Sequence, residues 1–167
     1  MGFDLINGVP AHVLFVHVVV ILIPLTALAL VVCAIWPSVM RRFGLALPVL
    51  ALVALGSVPV TTGAGEWLEK HVRRTALVNK HTELGDGLGP WALGLFVMAV
   101  AVWWTYRRIT AASAGSGTVG IPLRVGAVVL SLAVAAGASV QVYRIGDSGA
   151  KAAWENAYTA TENPGGG

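Results

Sequence analysis

Long, uninterrupted apolar runs alternate with short polar segments along the whole chain. A helix that crosses a bilayer needs about 20 mostly apolar residues, and four runs reach this length. They cover residues 11–36, 43–62, 89–106 and 122–143. Strands of a membrane barrel would instead alternate apolar and polar positions over about ten residues. The pattern therefore predicts an all-α fold, an integral membrane four-helix bundle, formed by a single domain over residues 1–160.

Two segments outside these runs carry helical patterns and predict a short helical cap on the outer side of the bundle. Residues 66–88 repeat apolar positions at helical spacing, leading into the third span. After the fourth span, Ser148 is a suitable N-cap for a separate short amphipathic helix. The small and polar residues 111–120 predict a loop, and residues 161–167 a disordered tail.

The amino-acid composition also indicates an integral membrane protein and not a soluble globular domain. Hydrophobic residues make up 56% of the chain and charged residues 11%, with a mean hydropathy of +0.77. Soluble domains carry roughly 25% charged residues, so this class is excluded. The net charge of +3 does not indicate nucleic acid, because the basic residues lie mostly beside apolar runs. The single cysteine, Cys33, excludes an intramolecular disulfide.

The short connections indicate how the chain is oriented in the membrane. Arg41 and Arg42 follow the first span, Arg107 and Arg108 follow the third, and Arg124 begins the fourth. All eight acidic residues fall on the other side of the predicted bundle. Because basic loops stay in the cytoplasm, we expect a multi-pass protein of the bacterial cytoplasmic (inner) membrane with both termini outside.

The four histidines lie on or near the predicted outer side, together with the carboxylates. His17 lies roughly 9 Å inside the first span at 1.5 Å per residue, and an ionisable residue inside a span suggests a functional site. The structural alternative is a neutral imidazole that bonds a backbone carbonyl or a loop carboxylate and ties the first span to the outer loop. His12 and His17 lie roughly 140° apart around a helix, so each needs partners from elsewhere.

Haem b is one cofactor that these histidines would suit, because haem is held between histidines on two helices of a bundle. His17 is the expected principal ligand and His81 its partner, with His12 and His71 as secondary candidates.

A divalent metal ion is the second hypothesis. Its site would combine His12, His17 and His81 with Glu66 and Asp86. A mixed histidine and carboxylate set suits zinc, iron or manganese. The sequence contains no His-Glu-x-x-His motif, and it predicts no set of catalytic residues.

Several fragments of the chain resemble a known family. They are Gly8-Val9-Pro10-Ala11-His12, Gly65-Glu66-Trp67-Leu68-Glu69, His81-x-x-Leu84-Gly85, and Arg144-Ile145-Gly146-Asp147-Ser148-Gly149-Ala150 with Trp154. The chain thus resembles the uncharacterised bacterial membrane proteins called domain of unknown function 2231. This resemblance implies four spans and supplies no reaction. Family members often carry histidine where this chain has Asp147, so a ligand at this position would be a carboxylate here.

Two functional hypotheses follow. The first is a small membrane subunit that binds haem or a metal ion near the outer face, a role suited to electron transfer and not to an enzyme acting alone. The second is a structural or accessory subunit without a cofactor, packed against a larger membrane complex or another copy of itself. In that case, the small residues from Ala127 to Ser139 would face the partner.

Overall fold

The computed structural model describes residues 5, 6, 8–112 and 120–154. Two short antiparallel strands precede six helices, and Ile6 pairs with Val9 between the strands. The elements are β1 (Leu5–Ile6), β2 (Val9–Pro10), α1 (Ala11–Ile35), α2 (Pro37–Phe43), α3 (Ala46–Glu69), α4 (Ala76–Asp86), α5 (Leu88–Ala112) and α6 (Ile121–Trp154). This all-α architecture confirms the predicted fold class.

Within the described residues, four helical segments are long and apolar enough to cross a membrane, as the sequence predicts. They cover Ala11–Ile35, Ala46–Glu69, Ala76–Arg108 and Ile121–Trp154. The long helices α1, α3, α5 and α6 form a ring in which α1 and α5 each contact both α3 and α6. We call the end with His12 and His81 the histidine end, and the end with Arg41 and Arg124 the arginine end.

The centre of the bundle is built largely from alanine and leucine, while larger apolar side chains face outward. Ala51, Ala99 and Ala138 are fully buried, and such small residues let helix backbones approach closely in lipid. On the outside, Ile21 is 66% exposed and Leu28 is 62% exposed. An apolar exterior of this kind is stable in contact with lipid tails and not with water.

A proline separates α1 from α2 at the arginine end. Trp36 adopts an extended conformation, and Pro37 occupies the first position of α2, where its missing N–H costs nothing. Because the helix stops here, the carbonyl oxygen of Ile35 has no intrahelical partner. The guanidinium of Arg124 donates to this oxygen over 3.0 Å and so ties the start of α6 to the end of α1.

The predicted cap is formed by α4 at the histidine end. Thr75 begins this helix by accepting a hydrogen bond from the backbone N–H of Val78, and α4 then packs on α6 and α3. The prediction of a separate helix capped by Ser148 is wrong. Helix α6 runs unbroken to Trp154, because no proline interrupts it and the packed α4 covers this extension.

Three helices extend beyond the predicted spans at their C-terminal ends: α3 to Glu69, α5 to Ala112 and α6 to Trp154. The fourth span was expected to end at residue 143, and α6 continues through Arg144 to Trp154. Residues 113–119 of the predicted loop and the predicted tail, residues 161–167, lie outside the described residues. The buried positions Ser131 and Ala135 place the central part of the small-residue stripe inside the bundle, not on an intermolecular face.

Candidate functional site

His12 projects from the first turn of α1 onto the side of α3. Its ring is half-buried, and Nδ1 donates to the carbonyl oxygen of Thr61 over 3.0 Å. The ring fits because residue 65 is a glycine. A Cβ atom there would lie 3.0 Å from Cε1 of His12. Gly65 thus leaves a recess in the surface of α3 that the imidazole fills.

His81 makes the equivalent contact from α4 to α6. Its Nδ1 lies 3.1 Å from the carbonyl oxygen of Ile145 and 3.1 Å from Oγ of Ser148. Ser148 itself donates to the carbonyl of Ile145 over 2.9 Å. A Cβ atom on Gly149 would lie 2.9 Å from Cε1 of His81. Glycine again provides the recess in which the ring lies.

The contacts of His12 with α3 and of His81 with α6 have the same geometry. In each, an imidazole donates to a helix carbonyl, and the residue four positions later is the glycine under the ring: Thr61 with Gly65, and Ile145 with Gly149. This carbonyl is the one that accepts the N–H of the same glycine within a regular helix. The repeated arrangement holds both rings in fixed orientations.

Hydrogen bonding also fixes which nitrogen carries the proton. A carbonyl oxygen can only accept, so Nδ1 must be protonated in both His12 and His81. In the neutral ring, Nε2 then presents its lone pair. No other part of the described chain donates a hydrogen bond to Nε2 of either ring. Both rings are therefore prepared to act as ligands through Nε2.

The structure brings these two rings together. The ring centroids of His12 and His81 lie 6.2 Å apart, and the ring planes meet at 82°. Both rings line a small cavity of about 50 Å³ between α1, α3, α4, α6 and the start of α5. Its remaining walls are mainly aliphatic and include Val16, Val19, Val58, Leu88 and Val142. The site is thus a pair of imidazoles at the edge of an apolar cavity.

A buried amide, which the sequence analysis missed, holds α4 in place. Nε2 of Gln141 donates to the carbonyl oxygen of Leu84 over 2.7 Å, and Gln141 is only 8% exposed. Leu84 lies in the last turn of α4, where carbonyl oxygens lack intrahelical partners. A lone glutamine within the apolar run 122–143 is the sequence signal that could have revealed this contact.

The expected principal ligand, His17, does not join the pair. It lies on the outer face of α1, exposed, and its Nδ1 donates to the carbonyl oxygen of Val13 in the same helix. His71 is likewise exposed. It donates to the carbonyl of Trp67 over 2.8 Å and stacks on the Trp67 ring at 4.1 Å. The structure therefore places His12, and not His17, beside His81.

The carboxylates expected to complete a metal site also lie elsewhere. Glu66 and Asp86 are exposed, and neither lines the cavity beside the histidines. Asp147 is exposed and forms an ion pair with Lys151 over 2.8 Å. Across residues 8–112 and 120–154, no group of three or more His, Cys, Asp or Glu side chains is placed to hold a metal ion.

Comparison with known proteins places the chain in a family. A family model described as "Predicted membrane protein (DUF2231)" matches residues 8–162, nearly the entire chain. The chain belongs to the DUF2231 family. No curated protein and no solved structure matched it. Membership in DUF2231 agrees with the membrane fold and leaves the chemistry to be argued from the histidine pair.

Proposed function

We propose that this DUF2231 protein is a membrane metal-binding protein that holds one Cu(I) ion between Nε2 of His12 and Nε2 of His81. The observation that carries the proposal is the 6.2 Å separation of the two ring centroids. Two metal–nitrogen bonds of about 2 Å and two nitrogen-to-centroid distances of about 1 Å add up to about 6 Å for a linear site. The centroid separation matches the one expected for a linear site in which both Nε2 atoms point at the ion, and this match supports the proposal.

The hydrogen bonds behind the rings support the same role. Metal-bound histidine almost always donates its other ring N–H to a carbonyl, a carboxylate or water, which fixes the ring and raises its basicity. His12 has this bond to Thr61, and His81 has it to Ile145. Such preorganisation lowers the cost of ordering the two ligands when the ion binds.

The choice of Cu(I) follows from the small number of ligands and the apolar walls. Zinc sites in proteins provide three or four side chains, whereas this cavity offers two imidazoles and no carboxylate. Cu(I) is stable with two ligands in a line. Its single charge also costs less to transfer into an apolar cavity than the double charge of zinc, iron or manganese.

Haem b fits this arrangement poorly. A porphyrin between the rings would need far more space than the cavity of about 50 Å³ provides. That volume accommodates an ion with a few water molecules, since one water needs about 10–15 Å³ of such space. His12 and His81 are therefore the proposed ligands of a small ion and not of haem.

Copper analysis of matched histidine variants tests the proposal. The purified protein is loaded with Cu(I) without oxygen, and copper per chain is measured after dialysis. We expect one copper per chain in the wild type. In His12→Ala and His81→Ala, copper affinity should fall by well beyond the roughly 10–100-fold seen when only a partner of a metal ligand is changed. His17→Ala and His71→Ala are the matched controls and should retain copper. Equal retention in all four variants would refute the proposal, and a Soret band lost in His81→Ala would replace it with haem binding.

A structural role for the histidines is the second candidate, favoured by the way His81 and Gln141 both fasten α4 to α6. If the histidines are purely structural, His81→Ala should be less stable than the wild type. Cu(I) should then have no effect on the stability of the wild type. Under the proposal, Cu(I) at 100 times its Kd stabilises the wild type by about 2.7 kcal/mol and leaves His81→Ala unchanged. Thermal unfolding with and without Cu(I) separates the two roles.

A further inference from the structure

A second and larger cavity lies at the arginine end, far from the histidine pair. It has a volume of about 360 Å³ and is enclosed by the end of α1, by α2, by the later part of α5 and by the start of α6. Short side chains such as Ala34, Ala101 and Gly126 leave this space unfilled, and Met40 and Met98 form flexible walls. Most of the lining is apolar, so in a membrane a hydrocarbon chain suits the greater part of this cavity better than water does.

One wall of the cavity carries a charge. Arg124 lines it, is exposed, and uses one N–H to reach the carbonyl oxygen of Ile35. A guanidinium has five N–H donors in a planar fork, so further donors remain for an anion beside the cavity mouth. Arginine is the side chain best suited to bind a phosphate through this fork.

The charges along the sequence at this end favour an anion. Residues 37–45 and 103–124 contain five arginines and no aspartate or glutamate. Arg107 and Arg108 lie over the rings of Trp103 and Trp104 at 5.4 and 5.0 Å, an arrangement typical of the membrane–water interface. Basic pockets between helices at the cytoplasmic surface are where anionic headgroups bind, and this end is the one that the sequence predicts to face the cytoplasm.

We infer that the cavity at the arginine end binds one anionic phospholipid. The phosphate contacts Arg124, and an acyl chain lies between Met40, Met98 and Leu130. The positive charge favours an anionic headgroup. The aliphatic walls accept an acyl chain without selecting its length or unsaturation. The bound lipid would fill the wedge that opens where Pro37 turns the chain away from the axis of α1, and it does not depend on the histidine site.

Native mass spectrometry of the full-length protein in detergent tests this inference. Phosphatidylglycerol and phosphatidylcholine with identical acyl chains are added in turn, and the 1:1 adduct is measured against lipid concentration. We expect preferential binding of phosphatidylglycerol, weakened about fivefold in Arg124→Ala, the effect of one basic residue near an anionic headgroup. Arg108→Ala is the matched control, since it removes an arginine at the same end that does not line the cavity.

A second variant separates the cavity from the charge. Ala127→Phe fills the space beside Leu130 without removing a charge, and we expect it to weaken phosphatidylglycerol and phosphatidylcholine alike. Should Arg124→Ala fail to fold, Arg124→Lys retains the charge and loses the fork, so it should bind less phosphatidylglycerol than the wild type. Equal binding of the two lipids by the wild type, or retention of full binding by Ala127→Phe, would overturn the inference.

Discussion

The imidazole of His81 lies in a recess above Gly149, with its Nδ1 bonded to the carbonyl of Ile145 and to Ser148. This relationship joins a helix outside the four-helix ring to the longest helix of the bundle. It also positions His81 opposite His12, which lies in a similar recess on α3. The two glycine recesses are therefore the structural basis of the histidine pair.

Replacing Gly149 by alanine should destabilise the protein and disturb copper binding. The new Cβ would lie 2.9 Å from Cε1 of His81, and the ring cannot move away from α6 without lengthening its Nδ1 hydrogen bonds to Ile145 and Ser148. We expect a loss of about 1–3 kcal/mol in the free energy of unfolding, as for other overpacked sites. Thermal unfolding in detergent measures it.

Gly146→Ala is the matched control in the same helix. No atom lies within 4 Å of a Cβ at this position, and alanine is preferred to glycine in a helix by about 0.5–1 kcal/mol. The control should therefore be stabilised slightly. If Gly149→Ala were as stable as Gly146→Ala, the recess beneath His81 would not be needed.

The contact between Trp91 and Gly137 predicts a larger effect at the α5–α6 interface. A Cβ on Gly137 would lie 2.0 Å from Cζ3 of Trp91, so the indole and the helix cannot both stay in place. Gly137→Ala should lower the unfolding temperature, and adding Trp91→Leu should recover most of that loss. A double-mutant cycle measures the coupling. Additive effects of the two changes would contradict direct contact.

Gln141→Leu should loosen α4 without unfolding the bundle. The change leaves the carbonyl of Leu84 without its donor, at a cost of about 1–3 kcal/mol for an unpaired buried group. Hydrogen exchange of residues 76–86 should accelerate, while that of α1 stays unchanged. Val140→Leu is the adjacent control, since Val140 is 57% exposed. Unchanged exchange in α4 after Gln141→Leu would show that this bond does not hold the helix.

Ser131→Ala should stabilise the protein. Ser131 is fully buried, and its Oγ has no hydrogen-bond partner among the described residues. Removing an unsatisfied hydroxyl relieves a desolvation penalty, and we expect a gain of up to about 1 kcal/mol in unfolding free energy. Thr26→Val is the comparison, because Thr26 is equally buried but donates to the carbonyl of Leu22 over 2.7 Å. A gain in both variants, or in neither, would contradict this reasoning.

Hydropathy predicted the four spans correctly because lipid imposes a length and an apolar composition on any helix that crosses it. It did not predict where the helices end. Helix α6 continues past Tyr143 to Trp154 because α4 packs along it, and that packing depends on contacts distant in sequence.

The sequence indicated the arrangement of the histidines only in part, because it too depends on contacts between residues distant in sequence. Helical spacing showed that His12 and His17 point in different directions, but spacing alone does not say which of them faces inward. That choice depends on the recess at Gly65, which becomes visible only when α3 lies against α1. The sequence singled out His81 as a candidate ligand, and the structure places its ring beside His12. Gln141 was overlooked within an apolar run.

Nitrogen NMR of protein labelled with ¹⁵N-histidine tests the central claim most directly, since the chain contains four histidines. Without metal, the spectra should show Nδ1–H tautomers for His12 and His81. One equivalent of Cu(I), added without oxygen, should shift the Nε2 signals of His12 and His81 together and leave those of His17 and His71 unchanged. Unshifted signals of His12 and His81, or equal shifts at His17 and His71, would contradict a copper site shared by the two rings.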